Sequence, residues 1–268
     1  MTTMTQAEKY PVASELRSEF EQNGHVLLCG LATAGEVEQF RPAIVEATER
    51  YMTETRSLAE RDTYGKAFLQ ITNLWQRDER VRQFVFSKKF AQAAADLLGV
   101  EKVRLYHDQA LFKEPDGGKT PWHQDQYYWP LDTEKTITMW MPLVDIDERM
   151  GMLTFASRSH LSGPVGSLAI SDESEDVYDS YINRKEYPIA KAIWMRAGDA
   201  TFHAGWTIHS AGANLSDRMR EVMTVIYFAD WARVSEPENP NQAADLAAWL
   251  DDITPGEIAD GILNPIVN

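Results

Sequence analysis

KVRLYHDQALFKEPDGGKTPWHQDQYYW, residues 102–129, decides how the chain is read. KVRLYHDQALF is a β-type run, PDGGKT is a turn, and WHQDQYYW opens a second run. ITMWMPLVDI, MLTFAS, AIWMRAG, ATFHAG, WTIHSAG and REVMTVIYFADWA continue the series downstream. About eight strands, with turn residues every 8–12 positions or so, predict an all-β barrel or sandwich. A polar insertion at 166–187 interrupts them and is long enough for a lid or functional loop.

Upstream of Gly99 the pattern is helical. Residues 13–60 carry SELRSEFEQNG, with Leu16 and Phe20 four apart, and AGEVEQFRPAIVEATERYM, where Pro42 predicts a kink or break. HVLLCGL between them reads as a short buried strand. A third helical stretch covers about 78–98 and stops at Leu98-Gly99. The tail, 233–268, holds one short helix and an apolar end. The chain, 1–268, is thus expected to be one domain: helices in 1–99, then a β-core in 100–232.

The chain has 41 acidic and 26 basic residues, a net charge of −15, which disfavours nucleic acid and anionic lipid as partners. DESED at 172–176 reads as a solvated loop or helix start. No segment has the roughly 18 unbroken apolar residues of a membrane span, and MTTMTQAEKY lacks the apolar core of a secretory signal. The single cysteine, Cys29, reads as a small buried hydrophobe and fits a reducing, cytoplasmic setting.

On a strand, residues i and i+2 share a face, so His123 and Asp125 would project together. His209, in WTIHSAG, adds a second imidazole. Two histidines and one carboxylate fill one face of an octahedron and leave open positions, the arrangement of non-haem Fe(II) oxygenases. A structural zinc site would call for more cysteines. A keto acid chelating such a metal leaves its far carboxylate in need of a cation, and arginine's fork suits it. Arg218 and Arg220 share strand parity. Arg220 opens the apolar run and is expected inside, and Arg218, in the turn NLSDR, in solvent.

WHQDQYYW, ITMWMPL, the Ser-Arg-Ser-His of 157–160, GDATFH, and HSAGAN with an arginine eleven residues after its histidine together resemble the phytanoyl-CoA dioxygenase (PhyH) family. The resemblance spans about residues 64–232. It implies mainly β structure with N-terminal helices around a double-stranded β-helix (jelly-roll, cupin-like) core. It implies Fe(II), with 2-oxoglutarate and O2 as co-substrates, and oxidation of an unactivated C–H bond of a small-molecule substrate. Hydroxylation is the default outcome, with desaturation, cyclisation or epimerisation open. By match to the motifs, His123, Asp125 and His209 resemble the iron ligands and Arg220 the 2-oxoglutarate anchor. Counted from His203, the same interval lands on Asn214. Gln109 and Trp140 match positions that contact the co-substrate. Ala211 stands where many members have serine. Because Asp125 is retained, halogenation is not expected.

Tyr127, Tyr128, Trp129, Trp206, Phe112, Asn73, Trp75, Lys113 and His203 are candidate substrate contacts. Lys113 has the alternative of an exposed turn. His160 reads as a turn hydrogen bond, His107 as packed or exposed, and Asp199 as a hairpin shaper. Many family members act on free metabolites, including antibiotics and other secondary metabolites. An acyl-CoA is the alternative substrate, disfavoured by the charge balance. A jelly-roll metal or small-molecule sensor and a metal-dependent isomerase are the alternative functions, and the oligomeric state is open.

Overall fold

The computed structural model describes residues 10–166 and 168–268. The N-terminal stretch read for a signal lies, apart from Tyr10, outside them. The helical part comprises α1 (Ser14–Asn23), strand β1 (His25–Leu28), α2 (Ala34–Tyr51), α3 (Thr63–Ala67), β2 (Leu69–Thr72), α4 (Glu79–Val85) and α5 (Lys88–Leu98). The core follows with β3 (Val103–Phe112), β4 (Thr120–His123), β5 (Thr136–Pro142), β6 (Ile146–Asp147) and β7 (Leu153–Ala156). Next come α6 (Asp172–Lys185), β8 (Ile189–Lys191), β9 (Trp194–Met195), β10 (Ala200–Ala204), β11 (His209–Ala211), β12 (Val222–Ala229) and α7 (Pro240–Trp249).

Six strands form the large antiparallel sheet, in the order β1-β10-β5-β12-β3-β2, and four the small one, β4-β11-β7-β8. The two make the expected jelly-roll sandwich. Alternation sorts the large sheet. Ile137, Met139, Met141, Phe202, Met223 and Val225 join the helices in the main core, and Thr138, Trp140, His203, Thr224 and Ile226 face the space between the sheets.

Several helical expectations change. Only 14–23 and 34–51 of the 13–60 region are α-helical, with a 3₁₀ turn at Leu58–Glu60. α2 continues through Pro42. Its capping box at Thr33 and Glu36 and its buried Val37, Ile44 and Ala47 offset the lost backbone bond. The 78–98 stretch is two helices, because Phe86 and Ser87 leave helical geometry before α5 begins. Cys29 is exposed, not buried, since β1 ends at Leu28 and the chain turns outward through Gly30 at φ 63°.

Most of the insertion is the helix α6. Ser171 and Ser174 cap it reciprocally, and Asp172, Glu173 and Glu175 sit in its first turn, where the helix dipole favours acids. Glu175 Oε2 accepts from Trp122 N at 2.9 Å, which ties α6 to β4. The tail returns to the core: Asn268 Oδ1 accepts from Val103 N at 2.9 Å, and Val267 is buried. Among the described residues no helix is long and apolar enough to cross a membrane.

Candidate active site

His123 ends β4, and Gln124 stays extended at φ −125°, ψ 126°. Alternation therefore persists one residue beyond the strand. Asp125, expected on the strand with His123, instead opens a 3₁₀ turn, Asp125–Tyr128. It still projects beside His123 because Gln124 is extended and pinned on the opposite side. Gln124 Nε2 donates to Trp206 O at 2.7 Å and Gly163 O at 3.0 Å, and its Oε1 accepts from Val165 N at 2.8 Å.

β11 brings the third group. His209 pairs with His123 and Ala211 with Thr120, so β4 carries one extra residue, a bulge. One ligand atom from each of His123, Asp125 and His209 lies within 4.8 Å of the others. Nε2 of His123 and of His209 stand 3.6 and 3.7 Å from Asp125 Oδ1. The opposite ring nitrogens are engaged: His123 Nδ1 donates to Pro121 O at 2.8 Å and His209 Nδ1 to Thr207 O at 3.0 Å. That fixes the tautomers and turns both Nε2 lone pairs inward. Thr138 Oγ1 donates to Asp125 Oδ2 at 2.8 Å, and His203 Nε2 reaches the same oxygen at 3.1 Å, which leaves Oδ1 free.

Electrostatics favour a cation here. Burial, then the neighbouring His209, lowers His123 to about 4, and burial, then His203, lowers His209 to about 4. Burial opposes charge on Asp125, but His209, His203 and His123 outweigh it and hold the carboxyl well below its ordinary value. Neutral imidazoles beside an ionised carboxylate are the donor state a divalent metal needs, so the three residues fit an iron ion.

The three groups line a cavity of about 290 Å³ between the sheets. Arg220 lies in its wall, fully buried and over the Trp140 ring at 5.4 Å. Its Nη1 donates to Gly151 O at 2.6 Å, while its Nε has no partner. Burial lowers it to about 9, so it remains a cation at neutral pH. Gly151 keeps this contact because its φ is 73° and a Cβ there would lie 2.5 Å from Gly212 O. Gln109, Trp140, Ala211, His203, Tyr128 and Trp129 line the cavity. Arg218 is exposed, as its place in the polar turn NLSDR predicts.

Other candidates lie elsewhere. Phe112 faces the helical core, because it alternates with Gln109 and Leu111. Trp75 also joins that core, under Arg82 at 4.8 Å from its ring, and donates to Asn73 Oδ1 at 3.1 Å. That pairing holds Asn73 away from the cavity. Trp206 lines a separate surface groove with Phe20 and His160. Tyr127 is the socket for α7: its carbonyl accepts from Asn239 Nδ2 at 3.3 Å and Gln242 Nε2 at 3.2 Å. Lys113 is neither at an exposed turn nor in the cavity wall. It is fully buried, and its Nζ donates to Gly118 O at 2.6 Å and Gly212 O at 2.8 Å. His160 reaches Glu21 O at 3.2 Å, a bond to α1 rather than within its own turn, and Asp199 accepts from Gly30 N and, as a hairpin shaper would, from Arg196 N.

Sequence reasoning missed His107, Tyr64, Phe68, Ile170, Asp245 and Trp249, all in the cavity wall. His107 gets there through a bulge in β3. Ile226 pairs with His107 and Tyr227 with Leu105, leaving Tyr106 as the extra residue. Val103 and Leu105 face the helical core; beyond the bulge Ala110 and Phe112 do, and His107, Gln109 and Leu111 turn inward.

The sequence profile of the phytanoyl-CoA dioxygenase (PhyH) family matches residues 20–222. A probable α-ketoglutarate-dependent hypophosphite dioxygenase of Stutzerimonas stutzeri is 26% identical over 157 residues, 56% of this chain and about half (54%) of that protein's length. A probable phytanoyl-CoA dioxygenase of Caenorhabditis elegans is 23% identical over 239 residues, 82% of this chain and 76% of its own. Among solved structures, the non-haem α-ketoglutarate-dependent carbocyclase SnoK from nogalamycin biosynthesis superposes with a TM-score of 0.77 at 26% identity, covering 96% of this chain and 97% of SnoK. With its jelly-roll core and a profile match across most of its length, the chain belongs to the phytanoyl-CoA dioxygenase (PhyH) family.

Proposed function

We propose that the protein is a non-haem Fe(II)- and 2-oxoglutarate-dependent oxygenase that oxidises an unactivated C–H bond of a small or medium-sized organic metabolite. The observation that carries this reading is the convergence of His123, Asp125 and His209 within 4.8 Å, in a cavity that also holds a buried arginine with an unpartnered Nε. His123, Asp125 and His209 would hold the metal. When bound, the iron supplies the redox centre at which O2 is reduced as 2-oxoglutarate is converted to succinate and CO2.

The chain's own residues do the rest. Arg220 receives the far carboxylate of 2-oxoglutarate, and Gln109 and Trp140 frame that molecule. Ala211 offers no hydroxyl, but its cross-strand partner Thr120 brings one to the same wall. Tyr128, Trp129 and Trp249 exclude water from the reacting carbon. The substrate is a free metabolite rather than an acyl-CoA, because a net charge of −15 repels the phosphates of coenzyme A. Hydroxylation is the default outcome; the similarity to a carbocyclase keeps ring closure open. We read the chain as one domain and, from its lone thiol, assign it to the cytosol.

An anaerobic titration with Fe(II) and then 2-oxoglutarate tests the reading. A visible charge-transfer band that needs far more 2-oxoglutarate in Arg220→Ala supports it. Bound iron without a band overturns it in favour of a sensor or a metal-dependent isomerase.

A further inference from the structure

The end of the cavity formed by α7 has a chemistry that neither the metal nor the keto acid uses. Asp245 and Trp249, one turn apart on α7, both face inward. Tyr106 donates its hydroxyl to Asp245 Oδ2 at 2.8 Å, fixing the carboxyl group. Tyr106 is there because it is the bulged residue of β3, and its ring lies 5.4 Å from Trp129. Trp249 meets His107 edge-on at 5.4 Å. Tyr64, Phe68 and Tyr128 complete the aromatic wall.

Among the described residues no cationic side chain pairs with Asp245, and Arg220 is the only lysine or arginine in the cavity wall. His107 cannot supply the charge, since burial lowers it to about 3, and its Nδ1 is buried without a partner. Burial disfavours the ionised form of this carboxyl and raises it to about 7, against the hydrogen bonds of Tyr106 and Trp249, which favour it. That penalty is offset when a cation enters, because the carboxylate and the surrounding rings attract the same group.

We propose that this end of the cavity is a cation subsite, in which Asp245 and the surrounding rings receive a protonated amine of the substrate, with His107 as a second polar contact. The substrate class is then an amine-bearing, partly apolar metabolite whose charged nitrogen anchors it while a carbon is held toward His123, Asp125 and His209. The acidic surface of the chain draws such cations in. The inference rests on the oxygenase reading for the orientation of the substrate, and on geometry alone for the subsite.

The test uses the whole protein under argon, with and without Fe(II) and 2-oxoglutarate. Two soluble probes of one shape are titrated calorimetrically: phenethylammonium and 2-phenylethanol. The cation should bind at least about tenfold more tightly than the alcohol. Asp245→Asn, which keeps the shape, should erase the difference, and Trp249→Leu should reduce it. Circular dichroism checks that each variant folds. Equal binding of the two probes by the unaltered protein, or an undiminished preference in Asp245→Asn, overturns the subsite. The keto-acid band is followed in the same samples. A band without a cation preference removes the subsite and keeps the oxygenase; a preference without a band does the reverse.

Discussion

His209 stands directly opposite His123 across the β4–β11 ladder, with ring centroids 4.1 Å apart. Backbone pairing therefore sets the two imidazoles side by side, and their Nδ1 bonds to Pro121 O and Thr207 O orient them. Asp125 enters from the 3₁₀ turn that follows β4, so two adjoining segments and one neighbouring strand build the whole donor set.

Substitution of His123 or Asp125 by Ala should abolish 2-oxoglutarate-dependent succinate release and Fe(II) binding while the circular dichroism spectrum is kept. Full turnover in either variant would show that the three residues are not the metal site.

His203 touches Asp125 and is expected to position it. His203→Phe keeps a ring beside Phe155 but removes the bond to Oδ2. Fe(II) affinity should fall about 10–100-fold, and His203→Gln, which can still donate, should recover part of it. Equilibrium dialysis measures both, and an unchanged affinity in His203→Phe would exclude the role.

Arg220 is a buried cation without a carboxylate partner among the described residues, so in the absence of 2-oxoglutarate it costs stability. Arg220→Met should leave the melting temperature unchanged or higher. The same variant should weaken 2-oxoglutarate binding roughly 10- to 100-fold and lose the thermal stabilisation that the keto acid gives the unaltered protein. A sharp drop in melting temperature, with keto-acid binding intact, would make Arg220 structural.

Asp108, outside the cavity, accepts from Leu74 N and Trp75 N, and burial raises it to about 7. Its folded pKa lies above the ordinary value of 3.8, so between those limits the native state holds the extra proton. The stability it contributes is complete below about pH 4 and is lost as pH rises through 7. The melting temperature of the unaltered protein minus that of Asp108→Asn should thus fall steadily between about pH 4 and pH 8. A gap independent of pH would mean that Asp108 does not titrate in this window.

The sequence by itself determined the class of fold and the centre of the site. Period-two runs after Gly99, His-x-Asp, a distant histidine and an arginine eleven residues beyond it are local or interval signals, and they survive in the structure because strand alternation and ladder register carry them. Asp125 shows the margin: it left the strand, yet Gln124 stayed extended and the alternation held. The tertiary structure alone decided the rest of the wall. A bulge at Tyr106 cannot be read from KVRLYHDQALF, yet it turns His107 inward and leaves Phe112 outside. Lys113, at the end of that strand, became a buried donor to two loops because Gly118 and Gly212 close over it. Asp245 and Trp249 reach the cavity only because Tyr127 offers α7 a docking place more than a hundred residues away in sequence. Alternation is a property of one strand, whereas bulges and docked helices depend on partners far along the chain, and no local pattern encodes those partners.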